Sequence, residues 1–433
     1  MTAQVGQAES ALRTAIDGRC AFQVTRDAAD AALSAELARW LAPEGTDVGV
    51  GPEGVVDPLG LARLVVQEIR VVGQHFLTPE RLAALAAVRD RYDGRDPYLD
   101  SFLECVLDKH DGRYWNRTYL SIPVLDVILG ENPLLPSGLA ALLAADIVRY
   151  ELCAAHRRTP VSPLGRPDAR TLRTRLRHSL RFMNAHLGSA VSDDLLGAIA
   201  RDPEADLPAL LLDLPPALAA AGDWLELSMQ PVSTVHDEYF FIRVLQAHEM
   251  AFAGMCWRTR DTIAALRDGQ LDAADRLLAQ VVTFMDRNAS LFRIVATLRY
   301  EAFHTFREFT DGASAVQSET YKRFEGLCGR PPSARLTSPA FESVPDVRGE
   351  VVSGQDTLSD AYRDAALADP GSAQVTRIAE RLRALEASHH RWKATHVTLA
   401  TRMLGDARGS GYTAGVGYLS QWVDHRLFWQ LPA

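Results

Sequence analysis

His389 and His396 offer the first chemistry in this sequence. Both fall on the stripe of a long helical pattern in which Val375, Ile378, Leu382, Leu385, Trp392, Leu399 and Met403 recur at spacings of three and four or their sums. Directly after it comes Gly409-Ser410-Gly411-Tyr412-Thr413-Ala414-Gly415, three glycines and three hydroxyls in seven residues. Such a loop can lie close to a flat ligand and donate hydrogen bonds to it. An imidazole on a buried helix face ahead of that loop is how a chain would hold a heme. The bland reading is a core histidine bonded to a backbone carbonyl.

The run Arg391 to Leu419 resembles the C-terminal pattern of the tryptophan 2,3-dioxygenase superfamily, R-W-x-x-x-H-x-x-x-x-x-R-x-x-G, then G-T-G-G-S-S-G and Y-L. The matching residues are Arg391, Trp392, His396, Arg402, Gly405, Gly409, Gly411, Gly415, Tyr418 and Leu419. Two further blocks resemble the family in its own order: His236-Asp237-Glu238-Tyr239-Phe240-Phe241-Ile242, with Gln246 and Glu249 at matching offsets, and the stretch Phe303 to Glu325. The resemblance implies an all-α helical bundle that binds non-covalent heme b and its iron, and an oxygenase that uses dioxygen on the ring of tryptophan, tyrosine or a related indole or aromatic amino acid. A place in secondary metabolism is expected. His396 would be the proximal iron ligand, with Trp392 and Gly411 beside the cofactor. Arg307 would clamp the substrate carboxylate and Ser410 would meet its ammonium group. Phe241, Leu245, Ser314, Ala315, Tyr412 and Thr413 would line the pocket.

The departures from the family fall in that pocket. Leu245 stands where the dioxygenases carry a distal histidine. His248, three residues on, points within one helical turn of it and is expected to replace it in part as the catalytic imidazole, or else to be an ordinary helix histidine. Tyr412 adds a phenol to the glycine loop, and Val316 replaces an aromatic residue. Neither C-x-x-C-H nor H-x-x-x-C occurs, the latter excluded by Ala400, so no covalent heme attachment is implied.

Two other classes stay open. Glu301-x-x-His304 and Glu386-x-x-His389 have the spacing of a non-heme di-iron bundle. Leu245 would also suit a heme sensor without catalysis.

The elements that must position these residues read as helices almost throughout, near 28–41, 58–73, 79–92, 98–109, 136–156, 169–186, 206–221, 238–268, 271–309, 318–327 and 374–404. Thr234 and Asp237 resemble a capping box at the start of the helix bearing Phe241. Residues 1–110 read as an N-terminal helical extension and 111–433 as the catalytic domain, with an insertion near 135–225. Residues 330–371, rich in Pro, Ser, Gly and Asp, read as a lid or surface excursion. Tyr114 to Leu120 resembles a family segment that reaches a neighbouring active site, so a homodimer or homotetramer is expected.

The chain has 433 residues, 47% hydrophobic, enough for a large core. Its formal net charge is −9 with scattered basic residues, which argues against a nucleic-acid partner. Five widely spaced cysteines suggest neither disulfides nor a C-x-x-C metal site and fit a reducing cytoplasm. No membrane span or signal peptide is expected.

Overall fold

Asp57-Pro58, Thr78-Pro79 and Asp96-Pro97 start three helices by one device. In each, the side-chain oxygen accepts a backbone N–H that the first turn leaves unpaired, from Gly60 at 2.9 Å, Arg81 at 3.2 Å and Leu99 at 2.8 Å. The proline behind it occupies a position where a missing N–H costs nothing. These helices are Pro58–Val72, Pro79–Tyr92 and Pro97–Leu107. The computed structural model describes residues 26–43, 57–109, 113–131, 136–155, 165–187 and 222–432, and among them there is no β-strand. The all-α expectation holds. The helix expected near 206–221 lies outside the described residues.

The chain divides into two compact units. One comprises Met1–Leu134, Ala141–Gln246 and Thr297–Asp311; the other Leu135–Ala140, Ala247–Ala296 and Gly312–Ala433. The helix His236–Arg267 contributes to both.

In the first unit, the interior of the His-Asp-Glu motif is polar and fully paired. Arg175 is completely buried and bonds Glu151 and Asp237, while His236 Nε2 lies 3.0 Å from the other Glu151 oxygen. Asp237 also holds Arg299 through its backbone N–H at 3.2 Å and its Nε at 2.9 Å. That pairing explains one difference from the sequence reading. The helix expected over 271–309 is two, Leu271–Val295 and Tyr300–Arg307, because the backbone at Thr297 and Arg299 exchanges helical bonds for bonds to Arg175 and Asp237. The expected capping pair also differs. Glu238, not Asp237, reaches back, accepting the N–H groups of Val232 and Ser233 at 2.9 Å each.

The second unit is organised by two long helices, Leu271–Val295 and Ala373–Leu404. Arg377 pairs with Asp272, Arg381 with Asp275, Arg391 with Asp286, and Arg402 donates to the Ala296 carbonyl, at sequence offsets of 105, 106, 105 and 106. A constant offset means that the helices run parallel, since an antiparallel pair would keep a constant sum. The exposed ion pairs mark the register and add little energy. Burial of Leu278, Val281, Met285 and Phe292 with Ile378, Leu382, Leu385 and Trp392 holds the pair together. Residues 330–371 form the short helices Ser333–Leu336, Pro339–Glu342, Pro345–Val352 and Leu358–Ala368, which bury Phe341, Val347, Val351 and Leu358. Among the described residues no helix is long and apolar enough to cross a membrane.

Candidate functional site

His396 takes its surroundings from the parallel register, which sets Phe292 against it. Their ring centroids are 5.7 Å apart with planes 19° from parallel, and Trp392, one turn earlier on the same helix, is also 5.7 Å away. The imidazole is half-buried. Desolvation, with the Lys322 amine nearby, lowers its pKa to about 4, so it is neutral at neutral pH, the form that ligates metals. Among the described residues neither ring nitrogen has a hydrogen-bond partner. His389 is likewise held neutral by burial but differs in its surroundings. It is fully buried, and its Nε2 lies 2.9 Å from the Tyr321 hydroxyl. Of the two histidines on this stripe, His396 is the one with both ring nitrogens unengaged, while His389 keeps only its buried Nδ1 without a partner.

His248 shares two aromatic neighbours with His396. Its Nδ1 is 2.6 Å from Asn288 Oδ1, and its ring lies 5.0 Å from Phe292 and 6.3 Å from Trp392, the two rings that flank His396. Burial drops its pKa to about 3, so it is a neutral, enclosed group. The turn-spacing argument placed His248 near Leu245 on the helix surface but not where that surface would pack.

The glycine loop follows Gly405, which ends the helix at φ 53°. It is pinned to the stretch containing Ser314 and Ala315. Gly312 N–H donates to the Ser410 carbonyl at 3.2 Å, and a Cβ on Gly411 would fall 2.7 Å from Ser314 Cβ, so only glycine fits there. Ser314 caps the single turn Ala315–Gln317, with the Gln317 side chain returning to its backbone N–H at 3.2 Å. Within the loop, Gly409 N–H donates to Thr413 O and Tyr412 N–H to Gly409 O, both at 3.1 Å. The structure thus brings Ser314, Ser410, Gly411 and Thr413 together. Tyr412 stands out at φ 60°, in the left-handed region, with 56% of its surface exposed.

In the first unit, Phe241 and Leu245 are half-buried between fully buried neighbours. Phe241 lies 6.1 Å from Phe303 and 5.3 Å from Phe306, and Arg307 ends the same short helix with its guanidinium 5.9 Å from the Phe303 ring. Burial lowers the Arg307 pKa, opposed by Asp311. Tyr114, Tyr119 and Leu120 are buried inside their own chain, and the Tyr114 N–H bonds the Asp311 carbonyl at 3.0 Å. Of the segment expected to reach a neighbour, Trp115 keeps an exposed ring.

The donor set does not suit a di-iron centre. Glu386 is occupied by the backbone N–H groups of Leu427 and Phe428 at 3.1 and 2.9 Å, His389 Nε2 by Tyr321, and among the described residues no group of three or more His, Cys, Asp or Glu is arranged to hold a metal ion. One neutral imidazole between aromatic rings, on a helix followed in the chain by a close-packed glycine loop, fits a metal carried by a flat organic ring. Phe292 and Asn288 escaped the sequence reading, where Phe292 is one more apolar position and only the register reveals its partner.

No family model matches the chain. It is 29% identical to a tryptophan 2,3-dioxygenase of Polaromonas naphthalenivorans over 252 residues, 48% of this chain and 89% of the relative. It is 27% identical to one of Pseudomonas aeruginosa over 272 residues, 53% and 93% respectively, and 25% identical to one of Pseudomonas fluorescens over 249 residues, 48% and 88%. Nearly the whole length of each relative is matched by about half of this chain. With three motif blocks in the family's order on an all-α chain, these similarities support a tryptophan 2,3-dioxygenase-like superfamily for this chain.

Proposed function

We propose that this protein is a heme-dependent oxygenase that uses dioxygen to oxidise the ring of tryptophan or a related aromatic amino acid. The observation that carries this reading is His396, neutral, flanked by Phe292 and Trp392, without a hydrogen-bond partner among the described residues, and at the superfamily's ligand position. Heme, when bound, supplies the iron that activates dioxygen.

The chain's own residues bind and orient. His396 offers the iron a neutral nitrogen, and the rings of Phe292 and Trp392 fix its plane. Arg307, the residue at the motif's carboxylate position, offers two parallel N–H donors to an amino acid, and Ser410 receives the ammonium group. Leu245 brings an apolar side chain where the dioxygenases place an imidazole, and His248, three residues on, has its Nδ1 held by Asn288. The chain therefore contributes orientation rather than a proton acceptor at that position. A homodimer or homotetramer is the assembly proposed, to be read by sedimentation.

The test is to purify the protein with heme and measure a Soret band and the heme content per chain. The reduced protein is then supplied with dioxygen and tryptophan, tyrosine or simple indoles, and the product mass recorded. A gain of two oxygen atoms means dioxygenation, and a gain of one means hydroxylation. Heme binding without turnover of any aromatic substrate would make the protein a sensor and refute the oxygenase reading.

A further inference from the structure

Lys322 lies on the helix Glu319–Cys328, which Ser318 caps through the Tyr321 N–H at 3.2 Å. Its neighbour Tyr321 places its ring 5.3 Å from Trp392, which in turn lies 5.7 Å from His396. Only 2% of Lys322 is exposed. Yet among the described residues no carboxylate lies within ion-pair reach of its amine and no hydrogen bond engages it; its Nζ rests 4.3 Å from the centre of the Tyr321 ring. The two carboxylates that act on it from longer range are occupied. Glu325 takes both arms of Arg335 at 2.8 and 2.9 Å and lies 3.3 Å from His425 Nε2, and Glu249 accepts the Thr320 hydroxyl.

An ammonium enclosed without a counter-ion is costly. Burial, with Arg335 adding to it, pushes the Lys322 pKa down to about 7. An amine so placed beside the iron-ligand helix lacks an anion that the protein itself does not supply.

We propose that Lys322 is the anchor for a carboxylate of the prosthetic group, pairing with a propionate of the heme that His396 ligates. The inference rests on the heme reading of the site. The anion shares its chemistry with the substrate's carboxylate, and the test separates the two sources.

The experiment titrates the heme-free full chain with heme and, separately, with heme dimethyl ester, which lacks both propionate charges. Soret absorbance and tryptophan fluorescence quenching report binding, without turnover. Parent, Lys322→Met and Lys322→Arg proteins are compared. The expected result is that Lys322→Met weakens heme binding on the order of tenfold, as loss of a charge-assisted bond does. The same change should leave the ester's affinity at the parent value, and Lys322→Arg should restore heme binding. Equal losses for heme and ester would make Lys322 a packing residue and overturn the proposal, as would no loss for either. Weaker tryptophan binding to the heme-loaded Lys322→Met protein, with heme affinity intact, would assign the amine to the substrate and also overturn it. If Lys322→Met fails to fold, the parent alone decides: ester and heme binding with equal affinity refutes the pairing. Failure of the parent to bind either porphyrin refutes the heme reading itself, a result distinct from intact heme binding that ignores Lys322.

Discussion

Phe292 stacks on His396 from the parallel partner helix, ring planes 19° apart, and the same phenylalanine lies 5.0 Å from His248. One aromatic ring thus touches both an imidazole whose nitrogens have no hydrogen-bond partner among the described residues and one bonded to Asn288. The two histidines should answer mutation in opposite ways. His396→Ala is expected to abolish the Soret band with little change in thermal stability. His248→Ala is expected to keep the band while costing about 1–3 kcal/mol, because Asn288 is left without its buried partner. A retained band in His396→Ala would remove the proximal assignment.

Acid should destabilise this protein earlier than carboxylates alone would explain. Burial holds His248 near 3 and His396 near 4 and takes His389 well below its usual range. Between those values and about 6.5 the unfolded chain binds protons that the folded chain does not, so stability rises with pH across that window. It is complete above about 6.5 and lost as pH falls toward the folded values. Glu151 adds a lower limb; burial opposes its ionisation, but Arg175 and His236 outweigh it and hold the carboxyl near 2. Urea unfolding at pH 7.5 and pH 5 should differ clearly in midpoint, and His248→Gln should narrow that difference. A midpoint independent of pH across this range would contradict the buried imidazoles.

Arg307 tests the substrate class. Arg307→Lys loses the planar two-donor fork and should reduce kcat/KM for an amino acid on the order of tenfold, while sparing the decarboxylated analogue and the heme spectrum. Equal losses for both substrates would show that the guanidinium serves the fold instead.

Tyr412 and Gly415 share the left-handed region, at φ 60° and 59°. For a residue with a Cβ that conformation costs roughly 1–2 kcal/mol. Tyr412→Gly should therefore be more stable than Tyr412→Ala by about 1 kcal/mol in denaturant unfolding. Gly415→Ala should fare worse than either, since its Cβ would lie 2.5 Å from the Ala407 carbonyl oxygen. Equal stabilities for Tyr412→Gly and Tyr412→Ala would mean that the loop relaxes freely.

Arg175 is buried with Glu151 and Asp237 and lies 3.6 Å from the Phe240 ring centre. Arg175→Met leaves two carboxylates enclosed near His236 and should cost about 3–5 kcal/mol, measured by chemical denaturation. A loss below about 1 kcal/mol would mean that water or Arg299 replaces it.

The sequence by itself determined the local architecture and the identity of the iron-ligand candidate. Apolar spacing marked the Ala373–Leu404 helix, and the motif around His396 singled it out from His389 as the candidate ligand. These signals lie within a few turns of one helix, where periodicity and capping act. The tertiary structure alone decided the parallel register that sets Phe292 beside His396, the break at 296–299 drawn by Asp237 and Arg175, and the enclosure of His248 and Lys322. Helical spacing fixes which residues share a face, but the partner of that face is chosen by contacts between segments about a hundred residues apart, and burial and charge are properties of the meeting rather than of either segment.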